Sequence, residues 1–191
     1  MFSRYFVALL IAITASLSVQ ATIVRPLALD EMTASAATIF EGKCIANQTL
    51  REPGTKLIVT YTTFAVSDAI KGAPGTTHVI KQIGGTLPNG DSMHVEGVPT
   101  FTVGEDYIVF LNGVSSLGFS SPTGLSQGRF NIEQGEDGPR ATNGRDFREM
   151  AALLPPNKIP TSLRASPAAR ITHLGLDDLK SIVRGLRAAQ P

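Results

Sequence analysis

The stretch FTVGEDYIVFL, residues 101–111, decides the fold that this sequence predicts. Successive side chains of a β-strand point to opposite faces, so one face would carry Tyr107, Val109 and Leu111 and the other Ile108 and Phe110. Both sets are apolar, which indicates a strand that is buried on both of its sides. Such a strand needs apolar partners above and below it, as in a barrel or a sandwich.

Similar runs of β-branched and aromatic residues predict further strands around this stretch. They cover residues 38–46, 57–66, 76–83, 93–98, 129–133 and 140–143, with a turn predicted at 47–56 and a break at 67–75. Asp30 is expected to cap a short helix that runs to Ala37. We therefore predict a mainly β fold, with a small closed antiparallel OB-like barrel and short helices over residues 22–143.

The last quarter of the chain has a different character. Residues 144–172 are rich in proline and predict a linker that contains a short helix at 146–154. Residues 173–191 predict a C-terminal amphipathic helix, because apolar residues recur there at helical spacing: Leu176, Leu179, Ile182, Val183 and Leu186. This helix either docks on its own barrel, which we favour, or binds a membrane surface or a partner.

The first residues have the pattern of a secretory signal peptide. One basic residue precedes a mostly apolar stretch that is too short for a membrane span, and Val-Gln-Ala at 19–21 fits a cleavage site. We expect residues 1–21 to be removed, so that the mature chain begins at Thr22 and is secreted or periplasmic without a transmembrane span. An uncleaved N-terminal anchor is the alternative.

Charge and cysteine content exclude several classes of function. Residues 22–138 carry 7 basic and 12 acidic residues, whereas residues 139–191 carry 9 basic and 4 acidic residues. An acidic barrel in a chain without tryptophan argues against nucleic-acid binding. The basic tail either recruits an anionic partner or, as we favour, packs on its own acidic domain. Cys44 is the single cysteine, so no internal disulfide can form, and a buried structural thiol is expected.

Three segments resemble the netrin-like module, the OB-type barrel of the tissue inhibitors of metalloproteinases. They are IFEGK at 39–43, FAVSDAIKG at 64–72 and VGEDYIVFL at 103–111, and the resemblance covers residues 38–112. It implies a barrel whose mature N-terminus, here Thr22 and Ile23, enters the cleft of a secreted metalloprotease. Those inhibitors begin with a cysteine and hold it with disulfides, whereas this chain offers Thr22 and one cysteine.

A possible catalytic motif is GLSQG at 124–128, which fits G-x-S-x-G with Ser126 as the nucleophile. Asp146 and His173 follow in the order that α/β hydrolases use. The context opposes this interpretation, because a strand is predicted after the motif where that fold requires a helix, and no parallel sheet is predicted.

Other candidate residues have simpler interpretations. His78, His94 and His173 lie far apart in the sequence and show no metal-ligand spacing. The adjacent acids Glu105 and Asp106 are expected to be solvated turn residues, because neighbours in a turn diverge. Asn47-Gln48-Thr49 is a glycosylation sequon that matters only in a eukaryotic host.

These observations favour an exported, non-catalytic β-barrel module that binds a protein or a cell-envelope partner, without metal or cofactor. The alternatives are an inhibitor of a secreted metalloprotease that acts through Thr22 and Ile23, and a serine hydrolase that uses Ser126.

Overall fold

The computed structural model describes residues 25–164 and 170–189. The strands are β1 (Thr38–Arg51), β2 (Ile58–Lys71), β3 (Thr77–Ile83), β4 (Gly85–Thr86), β5 (Ser92–Met93), β6 (Asp106–Leu111), β7 (Arg129–Gly135), β8 (Gly138–Thr142) and β9 (Leu174–Gly175). The helices are α1 (Leu29–Ser35), α2 (Phe147–Ala151), α3 (Thr161–Arg164) and α4 (Leu176–Arg187). The predicted signal peptide at 1–21, together with Thr22 and Ile23, lies outside the described residues.

Seven strands form one antiparallel sheet in the order β3-β2-β1-β6-β7-β8-β9, and β4 and β5 form a separate small hairpin. The prediction of a mainly β, antiparallel fold with few helices is confirmed. Among the described strands no backbone pairing joins β3 to β9. The sheet therefore has two edges, and the closed barrel is not confirmed.

β6 is buried on both of its faces. It pairs with β1 on one side and with β7 on the other, and the five residues Tyr107–Leu111 are all buried. Ile108 and Phe110 lie on a face that is covered by helices α1, α2 and α4, here called the helix-covered face. Tyr107, Val109 and Leu111 lie on the opposite face. The two-sided burial predicted from the alternation in FTVGEDYIVFL is confirmed.

The opposite face is covered by a loop and is here called the loop-covered face. Phe101, from the segment between β5 and β6, packs edge-on against Phe64 at 4.9 Å and against Tyr107 at 5.0 Å between ring centroids. Edge-to-face packing of this kind favours a fixed arrangement, because the ring edge is positive and the ring face negative. Phe40, Cys44 and Ile80 complete this second core.

β1 and β2 are longer than the local sequence predicts. β1 continues through the predicted turn to Arg51, and β2 continues through the predicted break to Lys71. The two strands pair along this whole length, with three register irregularities that accommodate the bends. The predicted boundaries were wrong because long-range pairing outweighs the weak strand preference of the polar residues at both ends.

Two smaller predictions are also corrected. The strand predicted at 93–98 is limited to Ser92–Met93, and Gly97 after it has a φ of +80°, which is incompatible with a strand. Asp30 does not cap α1, because the helix starts at Leu29 and the capping position is Ala28. Asp30 instead lies in the first turn, where a carboxylate interacts favourably with the helix dipole.

α4 docks on the protein's own sheet, as favoured from the sequence. Leu179, Ile182 and Val183 are buried in the helix-covered core. Lys180 Nζ lies 2.6 Å from Glu41 Oε2 and 2.5 Å from Asp68 Oδ2. The basic tail therefore meets acidic residues of β1 and β2. In the part of the chain that the structure describes, no helix is both long and apolar enough to cross a bilayer.

The predicted linker contributes to the same core. The helix predicted at 146–154 is observed as α2, with Asp146 at its N-cap and Phe147 and Met150 buried. Leu154 and Leu163 are also buried against the helix-covered face. The described part of this proline-rich region therefore packs on the sheet.

The ion cluster around Lys180 predicts a stability that depends on acid pH. Burial, the largest influence, acts to raise the pKa of Asp68, but hydrogen bonds from Lys180 and Arg184 outweigh it and leave this pKa below its ordinary value of 3.8. A carboxyl group with a lowered pKa in the folded state stabilises the fold above its unfolded-state pKa and loses this effect as the pH falls through the folded-state pKa. Asp68→Asn should lower the free energy of unfolding by about 1–2 kcal/mol at pH 7. The difference from the wild type should shrink below about pH 4.

Urea unfolding followed by circular dichroism between pH 7 and pH 2.5 measures this difference. The matched control is Asp137→Asn, which removes an exposed carboxylate that pairs with Arg140 and should change stability little at any pH. A destabilisation by Asp68→Asn that is the same at every pH would show that the ion cluster does not act as described.

Candidate functional site

The GLSQG segment forms a tight loop between β6 and β7. Gly124 and Leu125 both have left-handed backbone angles, with φ of +65° and +61°, and residues 125–128 form one turn of 3-10 helix. β7 follows directly at Arg129. The motif is therefore not the strand-to-helix elbow of an α/β hydrolase, and the strand predicted after it is confirmed.

This loop is anchored on the central strand. The Thr123 amide donates to the Phe110 carbonyl at 2.7 Å, and Pro122 forms a β-bridge with Leu111. A Cβ atom on Gly128 would lie 2.5 Å from the Thr123 carbonyl oxygen and 3.0 Å from that of Phe110. The last glycine of the motif is thus explained by the close approach of backbone to backbone.

The side chain of Gln127 binds the N-terminal segment as a neighbouring strand would. Its Oε1 atom accepts a hydrogen bond from the Leu27 amide at 2.8 Å, and its Nε2 atom donates to the Arg25 carbonyl at 3.0 Å. Gln127 is only 8% exposed. One buried side-chain amide therefore satisfies both an N–H and a C=O group of the segment, which fixes the backbone of residues 25–27.

Arg145 completes the contact. Its Nη1 atom donates to the Leu27 carbonyl at 2.8 Å and to Gln127 Oε1 at 2.6 Å. Burial is the main cause that lowers the pKa of Arg145, yet a guanidinium keeps its proton in proteins. Leu27 packs closely on Gly124, where a Cβ atom would lie 2.5 Å from the Leu27 Cδ1 atom. We refer to Gly124, Gln127 and Arg145 as the N-terminal clamp.

A cavity of about 220 Å³ adjoins the clamp. It is lined by Pro26 of the N-terminal segment, by Gly97 of the segment before β6, and by residues 124–127 and Arg145. Ser126 is one of these lining residues, and its side chain is exposed. The clamp thus joins the start of the described chain to two loops on the same side of the molecule.

The three residues of the predicted catalytic set serve separate contacts. His173 Nε2 lies 3.3 Å from Glu133 Oε2, and its Nδ1 atom lies 3.0 Å from the Thr172 hydroxyl. Asp146 Oδ1 accepts from the amides of Arg148 and Ile171. Among the described residues, neither His173 nor Asp146 forms a hydrogen bond with Ser126, so the structure does not bring the set together.

The remaining histidines and the turn acids are also separate from one another. His78 packs on the ring of Phe40 at 5.2 Å, and His94 lies 3.5 Å from Glu96 on the surface. Asp106 pairs with Lys43 at 2.6 Å. In the ranges 25–164 and 170–189, no three His, Cys, Asp or Glu residues lie close enough together to hold a metal ion.

Cys44 belongs to the loop-covered core, whereas the sequon residue Asn47 is exposed and bonds to the loop that covers this core. Cys44 is fully buried, and burial raises the pKa of its thiol, so the predicted structural thiol is confirmed. The Asn47 side-chain amide donates to the Phe101 carbonyl at 2.6 Å and accepts from the Thr62 hydroxyl at 2.7 Å. These contacts engage both ends of the Asn47 side chain.

The sequence reasoning missed Gln127 and Arg145 as binding residues. Gln127 binds residues that are 100 and 102 positions away, and Arg145 binds one that is 118 positions away. No local periodicity can reveal such contacts. The available signal was the pair of glycines at 124 and 128, which the close backbone approaches of this loop require.

Searches of protein-family models, of curated proteins and of solved structures found no match to this chain.

The clamp predicts a specific effect of Gln127→Ala. The substitution removes both hydrogen bonds to the N-terminal segment, each worth about 0.5–1.5 kcal/mol. Hydrogen exchange of the Leu27 amide should become roughly ten- to a hundredfold faster, as read by NMR. Gln127→Glu keeps the acceptor for the Leu27 amide but loses the donor to the Arg25 carbonyl. Its exchange rate at Leu27 should therefore lie between those of the wild type and Gln127→Ala.

Ser126→Ala is the control, since it alters the neighbouring exposed side chain of the same loop. It should leave exchange at Leu27 unchanged. If Gln127→Ala exchanges at the same rate as Ser126→Ala, then Gln127 does not hold the segment.

Proposed function

We propose that this protein is an exported, non-catalytic β domain of the OB type that binds a protein partner of the cell envelope or the medium through its N-terminal segment. The observation that carries the proposal is the N-terminal clamp. The buried side chain of Gln127 and the half-buried side chain of Arg145 make four hydrogen bonds around Arg25 and Leu27, including the one that they share.

Fixing the segment before a partner arrives favours binding. A free chain end loses conformational entropy when a partner orders it, at about 1–2 kcal/mol for each residue. The clamp orders residues 25–27 when the protein folds. The free energy of binding is therefore not reduced by the entropy cost of ordering these residues. If cleavage occurs after Ala21, three residues precede Arg25 and reach at most about 10 Å from it. The proposed partner surface therefore lies close to the clamp.

The order of the strands supports the OB-type part of this proposal. β1, β2 and β3 form a meander, and β6 joins the free edge of β1. A long first strand that pairs on both of its edges is what a partly open five-stranded barrel requires. A shared strand order supports a shared architecture more than a shared activity.

Site-specific cross-linking tests the binding proposal. A photoreactive residue at position 24, directly before the segment that the clamp holds, should cross-link one partner in the native envelope or medium. The same residue at Asn89, in the exposed turn between β4 and β5, should not. Adding Gln127→Ala should reduce the cross-link at position 24 several-fold, because the segment is then no longer held.

Equal cross-linking from positions 24 and 89 would contradict the proposal. Turnover of a substrate by the mature protein that is abolished by Ser126→Ala would contradict its non-catalytic part.

A second candidate is inhibition of a secreted metalloprotease through Thr22 and Ile23. The clamp is the observation that favours it. Gln127 and Arg145 supply in this chain the fixation that disulfides give to the tissue inhibitors of metalloproteinases. A clamped segment is what an inhibitor needs, because its first amine and carbonyl must reach the zinc ion of the protease together.

Adding one alanine before Thr22 tests this second candidate. The extension displaces the amine from the zinc and should reduce inhibition of a thermolysin-type or metzincin-type protease at least a hundredfold, about 3 kcal/mol. The cross-link at position 24 to a non-protease partner should survive the same extension. Inhibition that is indifferent to the added residue would reject the inhibitor hypothesis.

A further inference from the structure

A second cavity, of about 250 Å³, opens on the loop-covered face. Its floor consists of hydrogen-bonding side chains of β1, β2 and β3, namely Asn47, Thr49, Thr60, Thr62 and Gln82. Thr62 lies two residues from the core residue Phe64 on β2, and Gln82 lies two residues from Ile80 on β3. Residues at this spacing point to the same face of a sheet, so the floor continues the loop-covered face. The apolar core thus changes to a polar floor towards this end of the strands.

Hydrogen bonds orient the side chains of the floor, but they leave some of its donor and acceptor groups unused. Thr62 donates to Asn47 at 2.7 Å, and the Gln82 Nε2 atom donates to the Pro99 carbonyl at 3.3 Å. Gln82 is only 4% exposed, and its Oε1 atom accepts no hydrogen bond from the described residues. Asn47 Nδ2 has a second hydrogen beyond its bond to Phe101. The cavity therefore presents at least one acceptor and one donor.

The roof of the cavity is held in place. Gly85 has a φ of +132°, and a Cβ atom there would lie 2.3 Å from the Thr60 hydroxyl oxygen, so only glycine lets the hairpin approach the floor this closely. Thr60 donates to the Gly84 carbonyl at 2.7 Å, and Arg51 pairs with Asp91 of the hairpin at 2.8 Å. Most ligand sites are similarly preformed.

The lining selects against charge. It contains no Lys, Arg, Asp or Glu, and its one titratable residue, His94, lies on the exposed rim beside Glu96. A charged ligand would lose hydration here without gaining an opposite charge. Thr86 and Thr100 also line the cavity, and the apolar part of its wall consists of Ile83, Met93, Val95 and Val98. The site thus pairs neutral donors and acceptors with an apolar wall.

We propose that this cavity binds a neutral sugar unit, a hexose or an N-acetylhexosamine. A sugar ring combines hydroxyl or amide groups on its edge with an apolar C–H face, which matches the polar floor and the apolar wall. The volume of the cavity suits one such ring. The proposal is independent of the N-terminal docking described above, because it rests on different residues.

Titration of the ¹⁵N-labelled protein with glucose, with N-acetylglucosamine and with glucuronic acid tests the proposal. Saturable amide shifts should map to residues 47–49, 60–62, 82–86 and 93–101 with at least one neutral sugar. The two neutral sugars distinguish hydroxyl from acetamido recognition. Glucuronic acid has the shape of glucose with a carboxylate added, and it should bind at least tenfold more weakly, because the lining has no cation for it.

Thr62→Val should weaken the neutral sugar about tenfold, whereas the matched control Thr63→Val, on the opposite face of β2, should leave its affinity unchanged. If Thr62→Val fails to fold, the map of shifts in the wild type decides alone. No saturable shift with either neutral sugar, shifts away from these residues, or equal binding of glucuronic acid would each overturn the proposal.

Discussion

The two-sided burial of β6 is the constraint on which the rest of the structure depends. Five consecutive side chains of this strand are buried, and each large apolar one contributes about 1.5–3 kcal/mol when it leaves water. Because neighbours in a strand point to opposite faces, this contribution requires two separate covers. Helices α1, α2 and α4 cover one face, and the segment that carries Phe101 covers the other. The α-helical tail and the long loops are therefore parts of one packing solution.

The same strand also positions the candidate site. The chain leaves β6, forms a bridge back to it at Pro122 and a hydrogen bond at Thr123, and only then makes the GLSQG turn. Gln127 is thereby held by the backbone of the central strand, and Arg145, from the segment that leads into α2, reaches it from the side. A surface loop that is anchored in this way can bind a chain segment without moving, which is the condition for a preorganised contact.

The sequence predicted those features that depend on local pattern. Alternation revealed the burial of β6, and helical spacing revealed α4 and its docking face. Local pattern in the sequence did not predict the features that depend on distant partners. The outer ends of β1 and β2 consist of residues with weak strand preference, and their pairing with each other determines their conformation. Gln127 could not be recognised as a binding residue, because its partners lie about a hundred positions away. The G-x-S-x-G pattern marks the loop that holds the N-terminal segment, but a strand follows it where an α/β hydrolase has a helix.

We expect the N-terminal segment at residues 25–27 to be as rigid as the sheet, and ¹⁵N relaxation of the protein that begins at Thr22 measures this rigidity most directly. The backbone order parameter of Leu27 should be about 0.85, the value of a rigid backbone such as that of β6. A value below about 0.6 would show a flexible segment, which would contradict the clamp and the function proposed from it.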